Sequence, residues 1–410
     1  MTGLQECKGR EKLVVVGAGM AATRFVEELT NLAPDRYDIL VIGDEPRLAY
    51  NRVLLSSVLA GDLSLDDIEL QPSHWWRAAS VQVMSGCKVV EINAATRRLV
   101  LDSGETIDYS KLLLATGSRA IRLPIEGADL CGVHAFRDVQ DVEALSQLGG
   151  RAKRAVVIGG GLLGLEAAYG LARRGVDVTL AHVMDRLMER QLDAAGADIL
   201  RRLAEEKGVR ILLNANTTRI GGSDRVEEVE FADGRTIPAD AVIFAVGIRP
   251  NADLAKNADI CVGRGVIVDD GLETSAPGVF AIGECAEHDG VCYGLVEPAY
   301  EQARVLAARL AGQDASYCGS VVSTNLKVSG VRVFSAGDYL GEGDARRIVC
   351  QDPRMGIYRK LVIRDDRLVG AILIGDTNGA ADLLDLIRSG ADVSSMCDEL
   401  MFGPPMQEAA

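Results

Sequence analysis

Two glycine-rich turns constrain this chain more than any other feature. Residues 14–22 read VVVGAGMAA, and residues 156–164 read VVIGGGLLG. Each joins a run of β-branched residues to a helical pattern. That order sets a helix N-terminus, with its free N–H groups, at the end of a buried strand. One such turn is weak evidence. Two in one chain point to two dinucleotides held by one protein, with electrons passing between them.

The segments around the turns support that reading. Residues 12–16 read as a strand, 23–30 as a helix and 37–42 as a second strand, a βαβ unit. Residues 155–158, 162–174 and 176–181 repeat the order. Buried-type strands are expected at 111–116 and 241–246. Farther on, strands at 361–363 and 369–374 flank a charged turn of Asp365, Asp366 and Arg367, and a helix covers 380–389. The expected fold class is α/β: two Rossmann-like dinucleotide-binding domains of the three-layer type plus a small C-terminal α+β domain.

Composition excludes several functions. A net charge of −15 argues against general nucleic-acid binding, which needs a basic footprint. No apolar run is long enough to span a bilayer, and the N-terminus enters a strand with no signal-peptide core. Nine cysteines without a CxxC pair suit a reducing compartment, so a cytoplasmic location is expected. The four histidines are scattered, and no metal site is expected.

In the first turn Gly17 allows the bend, and Gly19 lets backbone approach a pyrophosphate. Ala22 stands where a third glycine often does. Asp44 follows the second strand, placed to accept hydrogen bonds from a ribose. The second turn keeps Gly159, Gly161 and Gly164, but His182 falls where a ribose-binding acid is expected. Arg186 and Arg190 follow; either could attract a 2′-phosphate, or both could form a solvated basic face. NADH against NADPH stays open. Two more strand ends, Thr116-Gly117 and Gly283-Glu284, complete a flavoprotein pattern, because an acid at the second can bind flavin-side hydroxyls.

These motifs resemble the FAD- and NAD(P)-dependent reductases of the two-dinucleotide class. A closer resemblance is to the FAD domain of NAD(P)H-dependent nitrite reductases and the electron-transfer subunits of assimilatory nitrate reductase. It is carried by AYNRVLLSSVLAG (49–61), GGGLLGLEAA (159–168), LMERQLD (187–193), FAVGIRPN (244–251), AIGECAEH (281–288), YGLVEPAYEQA (293–303) and LVGAILIGDT (368–377). The resemblance implies an FAD domain from 1–120 and 248–318, an NAD(P) domain at 121–247 and a C-terminal interface domain at 319–410. It implies FAD contacts at Gly17, Gly19, Met20, Ala21, Ala22, Asp44, Arg52, Val89, Thr116, Gly117, Arg137, Gly283, Glu284 and Val296. It implies NAD(P) contacts at Gly159, Gly161, Leu162, Leu163, Gly164, Glu166, His182 and Gly247. Rubredoxin-type relatives carry a Lys where Ser56 stands, and Arg52 is expected to replace its charge. Arg52 and Glu166 are expected to tune the cofactors, with no general acid or nucleophile from the protein.

What is missing narrows the acceptor. Disulfide reductases of this class carry a Cys-x4-Cys pair beside the flavin. Here that region holds Ser56 and Ser57, and no cysteine lies between Cys7 and Cys87. Hydroxyls cannot cycle between thiol and disulfide, so electrons must leave the chain. Cys285 and Cys292 read as reduced structural thiols, with a redox pair as the alternative. The last residues, MFGPPMQEAA, follow a single Cys397, too few thiolates for a cluster. The expected acceptor is therefore a separate iron–sulfur or sirohaem/molybdenum reductase polypeptide, with a homodimer left open. The alternatives are a rubredoxin or ferredoxin reductase, and a flavin-binding redox sensor. Trp75-Trp76 reads as a partner anchor or as packing under a loop, and the acidic stretch 338–344 as a docking face or a solvated turn.

Overall fold

The computed structural model describes residues 10–150, 152–328, 330–396 and 400–402. Cys7 and Cys397 lie outside them. The chain forms two compact units. The first takes the described part of Met1–Arg52 together with Leu65–Arg119 and Ile248–Ser320. The second takes Val53–Ser64, Ala120–Gly247 and the described part of Val321–Ala410.

The first unit is built on a five-stranded parallel sheet. Its spatial order is Val279–Ala281, Lys111–Leu114, Glu11–Val16, Tyr37–Gly43, Val81–Ser85. The chain runs outward one way from Glu11–Val16, then returns to its other side. The strand order reverses between Glu11–Val16 and Lys111–Leu114, and ligands of such sheets bind at that crevice, beyond the strand ends. The Met20–Leu32 helix packs against Val296–Leu310 on this sheet. Phe25, Val26 and Leu29 are fully buried, an i, i+1, i+4 stripe that faces the strands. Trp76 is buried and its ring meets Trp75 edge-on at 5.0 Å, so the tryptophan pair packs against the core instead of standing free as an anchor.

The second unit repeats the plan. Its parallel order is Val209–Leu212, Asp177–Ala181, Arg154–Ile158, Ala241–Phe244, Val133–Ala135. Here too the order reverses at the strand that precedes the glycine turn. The Leu55–Ala60 helix packs on Leu162–Arg173; a Cβ on Gly170 would come within 2.7 Å of Leu59 Cγ, so the glycine permits the close crossing. The same unit carries a five-stranded antiparallel sheet in the order Ser323–Val328, Val331–Gly337, Arg367–Ile374, Ile357–Arg364, Arg346–Asp352, with the Ala380–Ser389 helix against it. Leu383 of that helix is fully buried, as its spacing predicts.

The expected helix at 380–389 is present with those bounds. The expected helix at 23–30 is longer, Met20–Leu32, and begins directly at the glycine turn. The 111–116 and 241–246 strands end earlier, at Leu114 and Phe244, because the backbone turns there to meet the glycine loops. Strands Ser323–Val328, Val331–Gly337 and Arg346–Asp352 were not expected. Arg346–Asp352 is mostly exposed, so no apolar alternation marks it. In the 338–344 stretch, Asp338 accepts from Gly341 N at 3.0 Å and pairs with Arg364 at 2.8 Å, which makes it a closed turn.

Candidate functional site: two matched glycine cradles

The two turns share one geometry. Gly17 N–H donates to Ile42 O at 2.8 Å, and Gly159 N–H donates to Ala181 O at 2.8 Å. Gly17 has φ +106° and Gly159 +121°. A Cβ on Gly17 would fall 2.2 Å from Ala115 O, and one on Gly159 would fall 2.2 Å from Ala245 O. Both positions therefore exclude any side chain twice over, by conformation and by space. Each contact also places its turn against the end of the neighbouring strand, at the reversal crevice.

The next requirement is room for a ligand. A Cβ on Gly19 or on Gly161 would meet nothing within 4 Å. Each of these glycines is the N-cap of its helix, and neither helix has a side-chain cap. The first-turn N–H groups of Met20, Ala21 and Ala22, and of Leu162, Leu163 and Gly164, lack intrahelical partners, and the N-cap glycine beside each set leaves open space. Such donors at the positive end of a helix fit a pyrophosphate. A third helix N-terminus without a side-chain cap lies at Val296 in the first unit.

The two cradles differ at the third position. Gly164 is obligatory, since a Cβ there would lie 1.9 Å from Gly159 O. Ala22, the matching residue of the first helix, is buried at 1% exposure and keeps its methyl group there.

They differ again at the end of the second strand. Val16 pairs with Ile42, and Ile158 pairs with Ala181. Counting on from these pairs, His182 stands level with Gly43, and Val183 stands level with the exposed Asp44. The acid position of the first cradle is therefore a valine in the second, 56% exposed. His182 points inward instead. A Cβ on Gly160 would lie 2.5 Å from His182 Cγ, so the middle glycine of the second turn exists to seat the imidazole.

In the first unit, long-range pairs fix the remaining expected residues. Ser118 Oγ donates to Glu284 Oε2 at 2.8 Å. Gly283 N–H donates to the buried Gln302 at 2.7 Å. Thr116 Oγ1 donates to Asn251 O at 2.8 Å, and Asn251 returns a bond to Thr116 O at 2.9 Å. Ser118, Gln302 and Asn251 escape a reading by motif, because their partners are far away in sequence. Arg52 pairs with Glu45 and lies over the Tyr50 ring at 5.2 Å. Its burial disfavours the charge, yet Tyr50, Glu45 and Glu284 outweigh that and hold the guanidinium firmly protonated. Val89 is buried in the Val89–Asn93 strand.

In the second unit, Arg137 immediately precedes a capping box formed by Asp138 and Asp141, and its own N–H donates to Asp141 at 2.8 Å. Gly247 has φ +118°. Glu166 is 6% exposed on the Leu162–Arg173 helix. Burial pushes its carboxyl up to about 8, against a hydrogen bond with Ser56 that pulls the other way. Arg186 is taken up by Asp185 at 3.0 Å, and Arg190 is exposed.

Burial raises the pKa of both Cys285 and Cys292 and so disfavours their thiolates. Cys285 is fully buried, with Sγ against Leu114 O and Ile282 O, and burial pushes its pKa up. Cys285 and Cys292 are both free. Asp270, His288 and Asp289 bring ligand atoms within 4.8 Å of one another. His288 is 2% exposed with Nε2 2.9 Å from Asp270, so a hydrogen bond already satisfies the buried ring.

Two parallel sheets, each with a glycine cradle at its reversal point, define a two-dinucleotide oxidoreductase. Comparison with known proteins places the chain within that class. Residues 11–308 match the family model described as pyridine nucleotide-disulphide oxidoreductase, and residues 323–391 match the rubredoxin NAD+ reductase C-terminal domain. The chain belongs to the pyridine nucleotide-disulphide oxidoreductase family, whose members are NAD(P)H-dependent and carry FAD. It is 45% identical to a nitrite reductase [NAD(P)H] of Bacillus subtilis (strain 168), over 98% of this chain and 50% of that protein. It is 41% identical to the assimilatory nitrate reductase electron transfer subunit of the same organism, over 94% of this chain and 50% of that one. The chain thus spans about half the length of the curated relatives it matches. Among solved structures, putidaredoxin reductase in its covalent complex with putidaredoxin aligns with a TM-score of 0.86 at 26% identity, over 94% of each chain.

Proposed function

We propose that this chain takes electrons from NAD(P)H through FAD to a redox centre outside its 410 residues, in nitrite or nitrate assimilation. The observation that carries the proposal is the 45% identity to a nitrite reductase across 98% of the chain, together with two uncapped glycine cradles, one per unit. In this reading the first unit holds FAD. Gly17, Gly19 and the N–H groups of Met20–Ala22 take the pyrophosphate, Asp44 takes the adenosine-side ribose, and Glu284, held by Ser118, takes hydroxyls on the flavin side. The second unit takes the pyridine nucleotide at Gly159, Gly161 and Gly164. FAD, when bound, supplies the conversion of a two-electron hydride into single electrons. The chain's own task is to bind, orient and exclude water.

The residues support an external acceptor. Ser56 and Ser57 stand where a disulfide reductase has thiols, and Cys285 is too buried to exchange. The nine cysteines contain no CxxC pair, which also suits a cytosolic setting. A second reading, a rubredoxin reductase, is favoured by the match at residues 323–391.

The test is anaerobic reduction of the purified protein by NADH or NADPH, followed by mixing with oxidised acceptors. Rapid reoxidation by a nitrite or nitrate reductase module is expected. Fast transfer to rubredoxin, with none to those modules, would overturn the first reading in favour of the second.

A further inference from the structure

The second cradle lacks an acid where the first has Asp44, yet a carboxylate reaches the same neighbourhood by another route. His182 Nδ1 accepts a hydrogen bond from Gly160 N–H at 3.0 Å. An accepting Nδ1 assigns the ring proton to Nε2. Nε2 lies 3.1 Å from Glu189 Oε2 and so donates to it. The imidazole is thereby a bridge, with the glycine turn on one side and a carboxylate on the other.

Glu189 is held at its backbone as well. Met188 N–H donates to Gly160 O at 3.0 Å, and Tyr339 Oη donates to Glu189 O at 3.2 Å. Leu187, Met188 and Leu192 are fully buried, which ties the segment down on both sides of Glu189. The carboxylate itself remains 24% exposed, and its second oxygen has no hydrogen-bond partner among the described residues. The neighbouring cations form no ion pair with it among the described residues: Arg186 pairs with Asp185, and Arg190 is exposed.

We propose that Glu189, positioned by His182, accepts the adenosine-side ribose hydroxyls of the pyridine nucleotide and selects the form without a 2′-phosphate. The proposal rests on the reading that the second unit binds this nucleotide. Its chemistry is simple. A fixed carboxylate with a free oxygen pairs with a vicinal diol. The same carboxylate repels a phosphate dianion at that place, which gives discrimination by exclusion. His182 is a positioning residue, because it touches the turn and Glu189 and not the ligand.

The test uses the purified holoprotein and two ligands that cannot react: ADP-ribose and 2′-phospho-ADP-ribose, titrated by calorimetry. Wild type is expected to bind ADP-ribose at least about tenfold tighter, the scale of one charged hydrogen bond. Glu189→Gln should weaken ADP-ribose about tenfold and bring the two affinities together. Glu189→Asp, which keeps the charge, should retain the order of preference. Glu189→Arg should invert it. Equal affinities in wild type, or an unchanged ratio in Glu189→Gln, would overturn the proposal while leaving the nucleotide site in place. Failure of wild type to bind either ligand would instead overturn the assignment of the second unit.

Discussion

Glu166 should make the stability of this protein fall as pH rises. Its carboxyl is 6% exposed, and burial moves it from 4.5 to about 8. The native state therefore binds one more proton than the unfolded chain across that window. Stability changes with pH in proportion to protons bound unfolded minus protons bound native, so the slope is negative. The contribution is complete below about 4.5, declines through neutrality and is gone above about 8. At about 1.4 kcal/mol per pH unit the window is worth roughly 5 kcal/mol, a large part of a typical folding free energy. Glu166→Gln keeps the shape and removes the titration. Urea unfolding of both proteins at pH 5, 6, 7 and 8 isolates the effect, because every other carboxyl is shared. The wild type should lose stability relative to the variant at each step, and the variant should be the more stable at pH 8. Parallel curves for the two proteins would refute the reasoning and show that the carboxyl is ionised when folded.

Three further outcomes follow from the same geometry. Gly17→Ala places a Cβ 2.2 Å from Ala115 O at φ +106°, so it should cost about 3 kcal/mol by strain and overpacking and release FAD, read by denaturation and flavin content. Lys360 is 5% exposed and bonds to Asp193 at 2.9 Å, the N-cap of the Ala194–Glu206 helix. Lys360→Met should destabilise by about 3 kcal/mol, because it leaves a half-buried carboxylate without its cation; chemical denaturation checks this, and no loss would show that the Tyr358 hydroxyl and the Gly196 N–H, which also donate to Asp193, suffice. The Cys285→Ser, Cys292→Ser double variant should retain NADH-driven turnover, since neither thiol carries electrons. Abolished turnover with normal flavin content would restore the redox-pair alternative.

Much of this architecture was legible because its signals are local. A glycine at positive φ between a β-branched run and a helix announces a cradle, and both cradles lie where they were expected. The Ala380–Ser389 helix declared itself through Leu383, Leu384 and Ile387 at helical spacing. The antiparallel strands of the C-terminal segment did not, because exposed edges such as Arg346–Asp352 carry no apolar alternation. The site's polar pairs were invisible for a different reason. Ser118 with Glu284, Thr116 with Asn251 and Gly283 with Gln302 form only after distant segments meet. His182 shows the limit most clearly. Its place in the sequence suggested a ribose contact, and only strand register revealed that it faces inward under Gly160, leaving Val183 level with Asp44.

The central claim is that the two cradles hold two different nucleotides and act in order, the second feeding the first. Anaerobic stopped-flow mixing of NADH with wild type, Gly17→Ala and Gly159→Ala tests it directly through flavin absorbance. Wild type should carry FAD and bleach, Gly17→Ala should lack the flavin, and Gly159→Ala should keep the flavin but fail to bleach at NADH concentrations that saturate wild type. Wild-type bleaching kinetics in Gly159→Ala, or full flavin content in Gly17→Ala, would contradict the account.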